Sequence, residues 1–330
     1  MTAVAPHPTR AFLPRFLGAV LLRLGGGVAL LVALSFLVFL LIHLAPGDLV
    51  TNILGPKNTS PEAVAAVTAK YRLDDPLLAQ YAAWLGNAVT GDWGTSFRQQ
   101  APVAAIVAAR AATTVALVSL AFVIALVTAI PLGIASALRA GRSRDRVIGL
   151  VTIVGVSAPS FVVAFVLMYV FASVLGWFPL YGYGDGGLDT LRHLVLPAVA
   201  LAIGLGALLV KITRSVLIRE LAQEHITAAR ARGESDGAVL RLALRGASIP
   251  IATSAGLVVT YLVAGTILVE NVFAIPGLGR LLFDSVVYKD IPTVQATTLL
   301  VAAAIVVVSI LVDVLYVVLD PRVRRQEVAR

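Results

Sequence analysis

The chain has 330 residues, of which 59% are hydrophobic and 13% charged, with a formal net charge of +8 and no cysteine. So small a charged share, against about 25% in soluble domains, excludes an ordinary water-soluble globule. The missing thiols exclude disulfides and cysteine chemistry.

The charges are segregated. Runs free of them cover residues 24–42, 111–138, 147–184, 194–210, 246–269 and 291–312. A bilayer core about 30 Å thick takes about 20 residues of helix, so the pattern predicts an all-α polytopic membrane protein with six spans.

In chain order, residues 1–22 read as a basic, proline-broken leader along the inner surface. The first apolar run, 19 residues long, exceeds a signal peptide's apolar core of about 7–15, and Pro46 follows Ala45 at the only plausible cleavage point. It reads as a retained helix. Its exit is His43-Leu44-Ala45-Pro46-Gly47-Asp48, and residues 46–110 form an outer loop long enough to need structure of its own. Within it, Ser60-Pro61-Glu62 signals a helix start feeding Ala63 to Tyr71. A second short helix is expected from Pro76 to about Val89, then a turn at Gly91-Asp92-Trp93-Gly94. Residues 102–110 look amphipathic and are expected to lie in the outer interface.

Arg139 to Arg146 makes a tight inner turn. The 147–184 run is too long for one helix: Pro159 bends it, and Trp177, Phe178, Tyr181 and Tyr183 mark an interfacial loop at its end. The 194–210 run extends past Lys211 by snorkelling. Residues 211–245 form the main inner loop, with a helix to Arg232, a turn at 233–236 and a second helix from Gly237 to Arg245. Gly256 and Gly265 in the fifth span favour close helix approach. Pro276-Gly277-Leu278-Gly279 fits either a re-entrant turn or part of the outer mouth. Asp313 is the one ionisable residue clearly inside an apolar run, either a relay group or a carboxylate near the inner end that bonds to a neighbouring helix or reaches the interface.

Orientation follows from the basic residues. With the N-terminus inside, inner segments hold Arg10, Arg15, Arg23, Arg139, Arg142, Arg144 and Arg146, seven more at 211–245 and four at 322–330, against eight outside. Both termini are thereby placed in the cytoplasm. The net charge is a topology signal, and nucleic-acid binding is set aside.

Catalytic patterns are missing. None of Lys57, Lys70, Lys211 and Lys289 follows the glycine that a Walker A lysine requires. The four histidines fall in four separate segments, which leaves no metal cluster. Ser157 lacks the second glycine of a nucleophile elbow. The chain is expected not to be an enzyme.

The segment Glu224-His225-Ile226-Thr227-Ala228-Ala229-Arg230-Ala231-Arg232-Gly233 stands out. It reads as a short inner helix stopped by glycine, with arginines in the last turn and a slim flank of Ala228, Ala229 and Ala231 that a partner's groove could accept.

These residues resemble the inner-membrane permeases of dipeptide, oligopeptide and nickel ABC importers, specifically the first permease of the pair. Five stretches carry the likeness: His43 to Asp48; Leu73-Asp74-Asp75-Pro76-Leu77 with Gln80-Tyr81 and Gly91-Asp92-Trp93-Gly94-Thr95-Ser96-Phe97; Thr227 to Gly233; Val272 to Arg280; and Asp313-Val314-Leu315-Tyr316 with Leu319-Asp320-Pro321-Arg322. The resemblance implies the MetI-like fold of type I ABC importer permeases in the cytoplasmic membrane. It also implies a second homologous permease, two cytosolic ATPases that bind the ATP and magnesium, and an external solute-binding protein. Carried over by position, Glu224, Thr227, Ala228, Ala229, Arg230 and Gly233 would form the ATPase-coupling site. Asp48, Asp92, Pro276, Gly277 and Gly279 would lie toward the binding protein. The substrate path is not assigned. Gly246 stands where the family pattern has a larger polar residue, which puts a second coupling contact in question. The expected cargo is peptide, with a nickel chelate or other small solute as the alternative and a gradient-driven transporter as the rival class.

Overall fold

The computed structural model describes residues 9–44 and 60–319, and all regular structure among them is helical. Eleven helices follow in order: α1 (Thr9–Leu44), α2 (Pro61–Tyr71), α3 (Leu77–Val89), α4 (Val103–Ala137), α5 (Ser143–Ser157), α6 (Ser160–Leu167, continued as a π-helix over Met168–Val174), α7 (Gly187–Leu221), α8 (Glu224–Ala231), α9 (Asp236–Val272), α10 (Leu278–Val287) and α11 (Ile291–Leu319). Five stretches are long and apolar enough to cross a bilayer: Val20–Leu40, α4, α7, α9 and Ile291–Val314. The pair α5 and α6 with its π-helical end meets the same test jointly but is bent by 106° at the break, and counting it as one crossing gives six.

The chain divides into two compact units. The larger comprises Met1–Gly25, Ala116–Ala274 and Ile305–Arg330. At its centre is α7, whose stripe of small residues lets neighbours approach. Gly206 lies against Ala125 and Ala129 of α4, and a Cβ there would still have ordinary contact at 3.8–3.9 Å. Gly133 is tighter: a Cβ would fall 2.6 Å from Cβ of Thr213. Gly155 of α5 meets Ala207, and Gly265 of α9 meets Leu201. These contacts substitute packing and dispersion for the hydrophobic effect, which is weak between helices in lipid. Gly256 and Gly265 thus do what their size suggests, Gly256 opposite Val312 of α11.

The smaller unit comprises Gly26–Val115 and Ile275–Ala304. Here Val103, Ile106 and Val107 share a core with Leu278, Leu281 and Ala296. Tyr81 of α3 stacks edge-on to Phe36 of α1 at 5.1 Å, and its hydroxyl shares a 2.7 Å hydrogen bond with Ser35. Among the outer-loop expectations, the helices at 61–71 and 77–89 and the turn after them are present.

Four expectations need correction. Residues 102–110 are amphipathic, with Val103, Ile106 and Val107 buried against α10 and the alanines between them exposed, but they are not a separate piece, because α4 is one helix of 35 residues. The inner helix expected to end at Arg245 runs on as α9 to Val272; Pro250 leaves a gap in its bonding ladder without stopping it. The helix expected to reach Arg232 breaks at Ala222–Gln223, so α8 stands apart from α7. Pro159 does more than bend a span: Ala158 is extended and the helix stops, as the residue before proline disfavours αR.

Asp313 also has company. Its Oδ2 lies 2.7 Å from an Arg23 nitrogen of α1, and the two side chains are half-exposed. Asp145, Glu270 and Asp290 are buried as well, each outside the apolar runs.

Candidate functional site

Eight residues form α8, too few to be stable alone, since isolated helices need about 12–15. Its ends and one face hold it. Glu224 sits in the first turn and Arg230 in the last, each complementing the helix dipole. The C-terminus closes in a Schellman arrangement: Gly233 N–H donates to the Arg230 carbonyl at 2.9 Å and Glu234 N–H to that of Ala229 at 3.2 Å. This needs Gly233 left-handed, and its φ is +76°.

The spacing of Ile226 and Ala229, one turn apart, puts both on one face. Both are 0% exposed, in a core with Val216 and Leu217 of α7 and Val239, Ala243 and Ala247 of α9. Glu224, Thr227, Ala228, Arg230 and Gly233 are exposed. Five of the six expected coupling residues therefore form a presented surface. Ala229 does not: it faces its own chain's core and cannot seat a partner's groove. The larger apolar Ile226 beside it fixes which way the helix turns.

Gly246 is explained by the same neighbourhood. A Cβ there would collide with the Glu220 carboxylate, whose Oε1 lies 3.3 Å from Nε2 of His225 at the start of α8. The missing side chain makes room for this contact between α7 and α8.

One group was passed over in the sequence. Asp145, the single acid among the arginines of the 139–146 turn, is 6% exposed. Its Oδ1 accepts from Ser136 Oγ at 2.5 Å and Arg214 Nε at 2.7 Å; its Oδ2 accepts from Gly141 N–H and an Arg214 Nη, both at 2.8 Å. An acid embedded in a basic turn was the available signal.

In the smaller unit, Asp92 Oδ1 accepts from Gly94 N–H at 3.0 Å, so that carboxylate shapes its own turn while remaining exposed. Pro276 is half-buried, and Gly277 and Gly279 are buried. Gly277 N–H donates to the Ile275 carbonyl, and Leu278 N–H to Thr114 Oγ1 at 2.8 Å. The Pro276–Gly279 run is a turn packed on α4, as the first of its two readings has it, with both glycines buried. Asp48 lies outside the described residues. What ties this unit together is Asp290: it accepts from Ser96 Oγ at 2.5 Å, Phe97 N–H at 2.9 Å and Thr293 Oγ1 at 2.8 Å.

Comparison with known proteins agrees with this architecture. Residues 129–325 match the family described as binding-protein-dependent transport system inner membrane component, and residues 15–118 match its N-terminal companion. A Brucella ovis protein named as a peptide permease is 36% identical over 315 residues, covering 92% of this chain and 97% of the relative. The glutathione transport system permease protein of Salmonella choleraesuis is 36% identical over 309 residues, covering 93% and 99%. In fold, the chain is similar to the inward-facing MetNI methionine ABC transporter, with a TM-score of 0.52 at 18% identity, covering 67% of this chain and 96% of that one. The first family match alone spans more than half the sequence and takes in α8 with both helices that bury it. The chain therefore belongs to the binding-protein-dependent transport system inner membrane component family, the multi-pass permeases of ABC importers.

Proposed function

We propose that this chain is the first of two paired permeases in an ATP-driven importer of peptides, with both termini in the cytoplasm. One observation carries the mechanism. α8 buries Ile226 and Ala229 in its own bundle and turns Glu224, Thr227, Ala228, Arg230 and Gly233 outward. A short helix anchored on one face and bare on the other is suited to a groove on a partner. In this reading the groove belongs to a cytosolic ATPase, which binds the ATP and magnesium; the permease itself does no chemistry. A loaded binding protein docks outside, ATPase closure displaces α8, and its differential contact with the open and closed ATPase states biases the helices between outward and inward openings.

The peptide assignment draws on the names of the relatives. The gradient-driven alternative has less support now that Asp313 is paired with Arg23. The test is uptake by the complex of both permeases, both ATPases and the binding protein in proteoliposomes. ATP-dependent uptake of a dipeptide, unaffected by a protonophore and lost in Glu224→Lys with the ATPases no longer co-purifying, is expected. Uptake that persists without ATP, or that collapses with the protonophore, refutes it.

A further inference from the structure

The Asp145 site ties together four pieces of backbone, and one of them leads straight to α8. Ser136 is in the last turn of α4, Gly141 in the following loop, Asp145 in the first turn of α5, and Arg214 on α7. Arg214 precedes the end of α7 at Leu221 by seven residues, or about 10 Å of helix. Only Ala222 and Gln223 then separate α7 from α8.

The geometry restricts motion more than an apolar contact of the same area would. Arg214 meets both carboxylate oxygens through Nε and Nη, a planar fork that fixes orientation as well as distance. A slip of α7 by one turn, about 5.4 Å, breaks both bonds at once and leaves a buried carboxylate without its cation. The cations on this turn, Arg139, Arg142, Arg144 and Arg146, are exposed, as is Lys211 one turn earlier on α7. Apolar side chains could slide past one another; this joint cannot.

We propose that the Asp145–Arg214 clamp is the positioning element that makes the α4–α5 corner move with α7 when α8 is displaced. The proposal rests on the reading of α8 as the ATPase-coupling helix. In its absence α8 could still be gripped and ATP still hydrolysed, but α7 would shift without carrying α4 and α5 along. Asp145 and Arg214 are positioning residues that need touch neither cargo nor nucleotide.

The test uses the complete reconstituted complex and reads solute taken up per ATP hydrolysed. Asp145→Asn and Arg214→Gln are each expected to lower that ratio by about fivefold or more while the ATPases co-purify in normal amount. Lys211→Ala leaves it unchanged. Since the chain contains no cysteine, an Asp145→Cys, Arg214→Cys double variant can be bridged by a short bifunctional thiol reagent, which is expected to raise the ratio back toward the wild-type value. A wild-type ratio in Asp145→Asn, loss of the ATPases from that variant, or no recovery in the bridged pair each overturns the proposal. If instead the wild-type complex retains no ATPase, the coupling reading itself has failed, whatever Asp145 does.

Discussion

Replacing Ile226 by alanine tests how α8 is held. Ile226 is fully buried, and its removal leaves Ala229 as the only other buried anchor of the helix. Truncating a buried isoleucine costs about 2–5 kcal/mol, the spread reflecting how far the site collapses. An eight-residue helix has almost no stability of its own to set against this. With about 3 kcal/mol lost at the larger of the two apolar attachments, local opening of α8 should become roughly 100-fold more populated. Amide hydrogen exchange of residues 224–231 in the purified complex reads that population directly. Exchange there should accelerate by about two orders of magnitude, while the amides of α7 around Leu209 and Leu217 change little. Thr227→Ala, on the exposed face, serves as the comparison and should leave exchange nearly as it was. If Ile226→Ala exchanges within about threefold of wild type, α8 is held by something other than this burial, and the account of its presented face is wrong.

Gly233→Ala should destabilise the α8 end by about 1 kcal/mol, because φ of +76° is unfavourable for an L side chain, and exchange at Gly233 and Glu234 amides should rise with it. Gly256→Ala places a Cβ 2.6 Å from a Val312 methyl and should cost about 1–3 kcal/mol in a denaturation measurement in detergent, whereas Gly149→Ala, with nothing within 4 Å, should be neutral or slightly stabilising. Asp290→Ala strands the Ser96 hydroxyl and Phe97 N–H, so the 94–102 loop should become protease-sensitive; a wild-type cleavage pattern would contradict the role given to that carboxylate.

The spans were legible because a membrane helix advertises itself by length and apolarity, which depend only on local sequence. The position of α8 was legible for a similar reason: Gly233 and the arginines before it announce a helix end. Its facing was not. Ala228 and Ala229 are chemically identical, and only the position of Ile226 relative to α7 and α9 decides which one is buried. Gly246 looked anomalous until Glu220, 26 residues earlier on another helix, was seen to occupy its space. Asp145 and Asp290 were overlooked because Arg214 and Ser96, the partners that tie them to other segments, lie 69 and 194 residues away in the chain, farther than a local spacing argument reaches. The continuity of α4 and α9 was missed because Arg110 and Arg245 each stand immediately before a charge-free run, although the helix continues through both.

The corner at Ala158–Pro159 bears on how the protein is made. Ser143–Ser157 and Ser160–Val174 have 15 residues each, about 22 Å of helix apiece, which falls short of a hydrocarbon layer about 30 Å thick. Neither arm can therefore settle across lipid by itself as it leaves the ribosome. Integration of this segment is expected to depend on α7, against which Gly155 is closely fitted through Ala207; a chain truncated before Gly187 whose 143–174 segment still resists alkaline extraction from membranes would contradict this.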